Sequence, residues 1–205
     1  MTAHDSTPAQ AGDPWLVIGL GNPGAEYAHT RHNVGADAVE LLAERLGARL
    51  RASKDRARSA DARIGSHRVT LAVPSTYMNE SGLAVGALVR RTGVSLERLV
   101  IVHDELDLEP GVVRLKDGGG LAGHNGLRSI TAHLHSQDYL RLRIGVGKPP
   151  GGKEHGANHV LKGFAKSERP LVEEAFVRVA GAVELLVTSG LQRAMTETNA
   201  IPQAP

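Results

Sequence analysis

The chain has 205 residues, with 24 Lys plus Arg against 22 Asp plus Glu, and no cysteine. That length fits one domain of about 100–200 residues, and the lack of cysteine excludes disulfides, thiolate metal sites and a cysteine nucleophile. A formal net charge of +2 excludes a polybasic nucleic-acid wrapper, and no apolar run approaches the roughly 20 residues that span a bilayer.

The first 14 residues, MTAHDSTPAQAGDP, lack the basic start and apolar stretch of a signal peptide. Polar and Pro/Ala-rich, they read as a disordered tail. Trp15 to Leu20 is a continuous apolar run ending before a glycine loop, the pattern of a buried strand. Val34 to Leu46 has helical apolar spacing and stops at Gly47. Arg49 to Asp61 is basic and polar, and reads as an exposed connection. Ala62–Ile64 and Val69–Val73 flank Gly65-Ser66 as a hairpin. Leu83 to Val89 forms the core of a second helix, ended by Gly93, and Leu99–Val102 is another buried strand. Val112–Leu115 is a strand after Pro110-Gly111, Leu127 to Leu134 a third helix, and Leu140–Val146 a strand alternating Arg with apolar residues. Lys148 to Gly156 is rich in Pro, Gly and Lys, the composition of a mobile loop. Pro170 to Leu191 is a long amphipathic helix, and residues 196–205 read as a C-terminal tail. Alternating strands and helices with one inserted hairpin predict an α/β fold: a single three-layer domain over residues 15–195, with a twisted mixed sheet and helices on both faces.

Gly19-Leu-Gly21-Asn22-Pro23-Gly24 follows a strand and matches the dinucleotide fingerprint G-x-G-x-x-G. Pro23 sits inside the motif, however, and the next helical pattern starts near Val34, too late to meet a pyrophosphate. Asn22 and His32 lie instead beyond the carboxyl end of a buried strand, where ligands bind in α/β sheets. The position of His32 at a helix entry predicts a lowered pKa and a neutral imidazole, which a general base needs.

Three further segments place polar residues at the same topological level. Asn79 follows the hairpin strand, Asp104 ends LVIV, and His124-Asn125 closes the glycine loop from Gly118. Asn79 and Asn125 also suit helix N-caps. His103, Asp104, Glu105 and Asp107 offer metal-ligand types, although alternation on a strand sends neighbours to opposite faces. No G-x-S-x-G or H-E-x-x-H occurs. A His oriented by an Asp, with amides nearby, suits direct attack by water on an activated acyl bond such as an ester. Of the 24 cations, 18 are Arg, whose planar fork suits phosphate, although genomic composition accounts for the same count. Six aromatic residues are too few for a base-stacking platform, so an RNA partner would be met at its backbone or its end.

Five ordered blocks carry a resemblance: GLGNPG-x-x-Y-x-x-TRHNVG (19–35), P-x-TYMN-x-SG (74–82), HDELDL-x-PG (103–111), GGG-x-x-GHNGL-x-S (118–129) and RLRIG-x-G (141–147). Together they resemble the bacterial peptidyl-tRNA hydrolase family. The lack of cysteine, of a spanning apolar run and of a signal peptide predicts a cytoplasmic protein with no membrane association, and the resemblance implies a monomeric, metal-free enzyme without a cofactor. Its substrate would be peptidyl-tRNA, cleaved at the ester between peptide and 3′ end. It implies His32 as base, Asp104 as its orienting partner, and Asn22, Asn79, Asn125, Tyr27 and Tyr77 as substrate contacts. Met78 and His124 would support the crevice, while Arg114, Lys116 and Arg143 would meet tRNA phosphate. The stretch from 147 to 164 would form a lid. Two other readings stand beside it: an RNA-binding relative without turnover, and a nucleotide-dependent oxidoreductase through Gly19–Gly24.

Overall fold

A computed structural model describes residues 13–152 and 155–200. The strands are β1 (Trp15–Gly19), β2 (Arg51–Ser53), β3 (Ala57–Ile64), β4 (His67–Pro74), β5 (Leu99–Glu105), β6 (Val113–Asp117) and β7 (Leu140–Gly145). The helices are α1 (Val34–Arg45), α2 (Ser81–Thr92), α3 (Asn125–Leu134), α4 (Gly156–Val160), α5 (Arg169–Ser189) and α6 (Leu191–Ala200). The strands form one sheet in the order β2-β3-β4-β1-β5-β7-β6. β4, β1, β5 and β7 run parallel, and the flanking strands pair antiparallel, so the sheet is mixed as expected.

β1 and β5 are buried along their whole length because both sheet faces are covered. Val17, Val100, Val102, Leu140 and Leu142 pack under α1 and α5, with Ala194 of α6. Leu16, Ile18, Leu99 and Ile101 pack under α2 and α3 through Val85, Leu88, Leu127 and Ile130. Those two helices stop short of the β7–β6 edge. Arg141 and Arg143 alternate with the apolar residues of β7 there, and in register with them stand Lys116 and Arg114 of β6.

Two expectations need correction. Arg49–Asp61 is not a connection: it supplies β2 and the first half of β3, which pairs with β4 from Ala57↔Pro74 to Ile64↔His67. Its small and basic residues carry little strand signal alone, and ladder formation with β4 overrides it. The supposed C-terminal tail from residue 196 is helical through Ala200. There Asn199 closes the open edge of β6, accepting from the Leu115 amide at 2.9 Å and donating to its carbonyl at 3.0 Å. Residues 201–205 and 1–12 of the expected tails lie outside the described residues. Asp13 is held by Arg98 at 3.1 Å. Lys153 and Glu154 of the expected mobile loop also lie outside the described residues, and α4 follows them.

The β1–α1 crossing leaves no room for side chains. A Cβ on Gly19 would collide with the Gly35 carbonyl, and one on Gly35 with the Val102 carbonyl. This contact sets α1, and the turn before it, directly over the ends of β1 and β5. Gly35→Ala is therefore expected to destabilise the fold by about 1–3 kcal/mol through overpacking, read as a lowered midpoint in chemical denaturation.

Candidate active site

Strand order reverses around β1, with β4 on one side and β5 on the other, which opens a crevice at their carboxyl ends. Asp104, near the end of β5, is buried with 4% exposure. His32 lies in a short 3-10 turn, Arg31–Asn33, just before α1. Its Nδ1 is 2.8 Å from Asp104 Oδ1. His124 Nε2 lies 2.9 Å from the same oxygen.

The tautomers follow from chemistry. His124 Nδ1 accepts the amides of Gly126 and Leu127 at 3.1 and 3.3 Å, so its Nε2 carries the proton given to Asp104. His32 likewise donates from Nδ1, which leaves its Nε2 as a lone pair without a partner among the described residues. Donor atoms of His32, Asp104 and His124 lie within 4.8 Å of one another, close enough for a metal. A metal on His124 would need a bare Nε2, which the two amides on Nδ1 do not allow. The pattern is a hydrogen-bond set.

Burial opposes ionisation of Asp104, yet His124 and His32 hold its carboxyl well below the usual carboxylate range. Burial would lower the pKa of His32, but the charge and hydrogen bond of Asp104 outweigh it and raise the value. The expectation of a lowered pKa from the helix entry is thus overturned: a buried carboxylate at hydrogen-bond distance exceeds a dipole end. His103 donates from Nδ1 to the Asp104 carbonyl at 2.7 Å. Burial, then His124, push its pKa down to about 3, so it stays neutral.

The asparagines join this centre by a chain of contacts. Asn22 Oδ1 accepts from the Met78 amide at 2.7 Å. Met78 packs on α3, where a Cβ on Gly126 would lie 2.6 Å from its Sδ. Asn125 opens α3 beside His124, and its Oδ1 accepts from Arg128 at 3.1 Å. Backbone amides and guanidinium groups only donate, so the oxygens of Asn22 and Asn125 are taken and their NH2 groups are left as donors. Asn79 is exposed in the turn before α2. Neither Asn79 nor Asn125 is a cap: His124 caps α3, and no side chain caps α2. Tyr27 and Tyr77 meet edge-on at 6.4 Å, and Tyr77 is half exposed.

A cavity of about 370 Å³ opens from the pair toward β7 and β6. Its wall includes His32, Asp104, His124, Asn125, Lys116 and Arg143. Asn22, Asn79 and the two tyrosines belong to the β1–β4 side of the pair. Arg114 lies away from this wall, at the rim of a separate hollow with Val113 and Arg178. Arg143 approaches Glu105 at 3.6 Å.

Several residues escaped the sequence reading. Asn33 receives the Asn22 amide at 2.8 Å and donates to its carbonyl at 3.0 Å, which fixes the glycine loop. Arg141 is fully buried and holds Gly120 O at 2.7 Å. Arg31 lies beside His32 and ties it to the chain after β7. Their signal was present in the TRHN and RLR strings, but nothing in a string distinguishes a buried Arg from a phosphate-facing one.

Fold and site define an α/β enzyme whose buried carboxylate–imidazole pair opens on a partly cationic crevice. The sequence model described as peptidyl-tRNA hydrolase matches residues 16–205. The peptidyl-tRNA hydrolase of Mycobacterium sp. (strain KMS) is 48% identical over 189 residues, covering 92% of this chain and 98% of that protein. The one of Frankia casuarinae is 47% identical over 188 residues, covering 92% and 95%. The crystal structure of peptidyl-tRNA hydrolase from Acinetobacter baumannii superposes with a TM-score of 0.88 at 43% identity, covering 94% of this chain and 97% of that one. The chain belongs to the peptidyl-tRNA hydrolase family. Among the described residues no helix is long and apolar enough to cross a membrane.

Asp104→Asn removes the charge that raises the His32 pKa while burial remains. The His32 pKa is then expected to fall below its wild-type value, as read from its imidazole resonances during an NMR pH titration. An unmoved pKa would remove Asp104 as the cause.

Proposed function

We propose that the enzyme hydrolyses the ester joining a peptide to the 3′-terminal ribose of tRNA, by water activated at His32, without covalent intermediate, metal or cofactor. The observation that carries this mechanism is the 2.8 Å contact between His32 Nδ1 and Asp104 Oδ1. Nδ1–H donates a hydrogen bond to Asp104, and the free Nε2 belongs to a ring that lines the cavity. That nitrogen takes the proton of the attacking water, an effect worth about 10²–10⁴ in rate. Asp104 then stabilises the imidazolium, by the same charge and hydrogen bond that raise the His32 pKa. As the alcohol leaves, the imidazolium returns a proton to the ribose oxygen.

The amide groups suit the carbonyl side of this reaction. The NH2 groups of Asn22 and Asn125, with the exposed Asn79, donate to the developing oxyanion and to peptide carbonyls. Tyr27 and Tyr77 border the peptide. Lys116 and Arg143 meet backbone phosphate in the cavity beyond the pair, and Arg114 reaches phosphate farther out. Cytoplasmic action as a monomer goes with such a substrate, since translation produces it there.

His32→Ala is expected to cut kcat by at least about 10² with tRNA binding retained. The assay is hydrolysis of N-acetyl-aminoacyl-tRNA with EDTA present. A loss below tenfold would remove His32 as base, and loss of the wild-type rate in EDTA would overturn metal independence. Turnover by the wild type also separates this reading from RNA binding alone. Arg143→Ala is expected to raise KM and flatten the salt dependence by about one phosphate contact; an unchanged slope in the same assay would take it out of the RNA contact.

A further inference from the structure

Arg31 precedes His32 in the chain, and its guanidinium is buried without belonging to the catalytic set. Its Nε donates to Val146 O at 3.3 Å, where β7 has just ended. Its Nη1 donates to the carbonyls of Gly163 and, at 3.5 Å, Lys162. Its Nη2 reaches Glu168 Oε2 at 2.7 Å, just ahead of α5. Glu168 also accepts the Ala165 amide at 2.6 Å, and the guanidinium lies 4.7 Å over the Phe164 ring. The main chain adds its own link, because Arg31 N donates to Lys162 O at 3.0 Å and Thr30 bridges Gly163. One side chain therefore holds both ends of the segment that leaves β7 at Val146 and returns at Gly163. The middle of that segment walls the cavity through Gly156, Ala157 and Val160 of α4.

We propose that Arg31, with Glu168 as its ionic partner, is a positioning residue that ties the α4 strap and the His32 turn into one unit. The inference rests on His32 being the base. Guanidinium geometry is what the task requires. A planar fork with five donors can serve three separate directions at once, whereas an ammonium serves them only by giving up span. The strap cannot shift outward at either end without breaking bonds to the residue that carries the base. The recess wall and the imidazole thus move together or not at all.

The test compares Arg31→Lys, Glu168→Gln and the double variant with the wild type, with kcat and KM measured separately on N-acetyl-aminoacyl-tRNA. Amide exchange of residues 155–163 is followed relative to β1 and β5. Arg31→Lys keeps the charge and loses the fork. It is expected to lower kcat/KM at least tenfold, to raise KM at least threefold, and to speed exchange in the strap while the central strands stay protected. Glu168→Gln keeps an acceptor oxygen and is expected to show a smaller change of the same kind. The double variant is expected to match Arg31→Lys within about twofold, because both changes break one linkage. Full kcat and KM per folded molecule would overturn the proposal, and so would strap exchange that rises only in step with the central strands. If the wild type failed to cleave the ester, the hydrolytic reading would fall, while the exchange comparison would still decide the tie.

Discussion

One carboxylate oxygen organises this molecule. Asp104 Oδ1 receives Nδ1–H of His32 and Nε2–H of His124 in a place shut off from water. An isolated buried carboxylate would cost several kcal/mol, so the two donors are what allow it to remain charged. Each imidazole carries a constraint outward. His32 is held through the turn that opens α1, and His124 through the two amides that open α3. The oxygen therefore fixes two helix entries, and with them Asn33 on one side and Asn125 on the other. Loss of Asp104 would leave two buried imidazoles facing each other without a charge to share.

That arrangement needs backbone to approach backbone at the switch point of the sheet. Gly19, Gly35 and the Val102 carbonyl meet with no space for a Cβ. Leu20 continues the ladder by donating to Val102 O at 2.9 Å, and Ala36 N returns to Leu20 O at 2.9 Å. The glycine loop that resembles a dinucleotide fingerprint serves this closeness instead. Its ten-residue delay before α1 makes room for the His32 turn, where a phosphate-binding helix would have started at once.

The central strands and α1 were legible, because apolar runs and glycine punctuation report burial and turning directly; Asn22 and Asp104 do lie at the ends of β1 and β5, whereas His32 sits in the turn before α1 and Asn125 opens α3. What stayed hidden depends on distant partners. β3 reads as a polar connection until β4 is beside it, and the helix beyond residue 195 reads as a tail until Asn199 meets the Leu115 backbone. The dipole argument failed for His32 because nothing local says that Asp104, 72 positions away, comes to 2.8 Å. His124 was placed only beside the crevice, since the string GHNG does not show that one imidazole caps a helix and holds the carboxylate at the same time.

Net charge conceals the other half of the design. A balance of +2 says little, yet β6 and β7 set Arg114 opposite Arg143 and Lys116 opposite Arg141 on one sheet face. Like charges in directly opposed positions destabilise a strand pair. The fold offsets part of this by burying Arg141 against the carbonyls of Gly120 and Gln137 and the Tyr139 ring, which gives that cation a structural task. Glu105 stands 3.6 Å from Arg143 and relieves it incompletely. Of the cations that remain, Lys116 and Arg143 border the cavity next to His32, across from α4. Under the proposed reading, a polyanionic substrate at this edge would place phosphate against Lys116 and Arg143, which would both recruit it and relieve the cross-strand repulsion on binding.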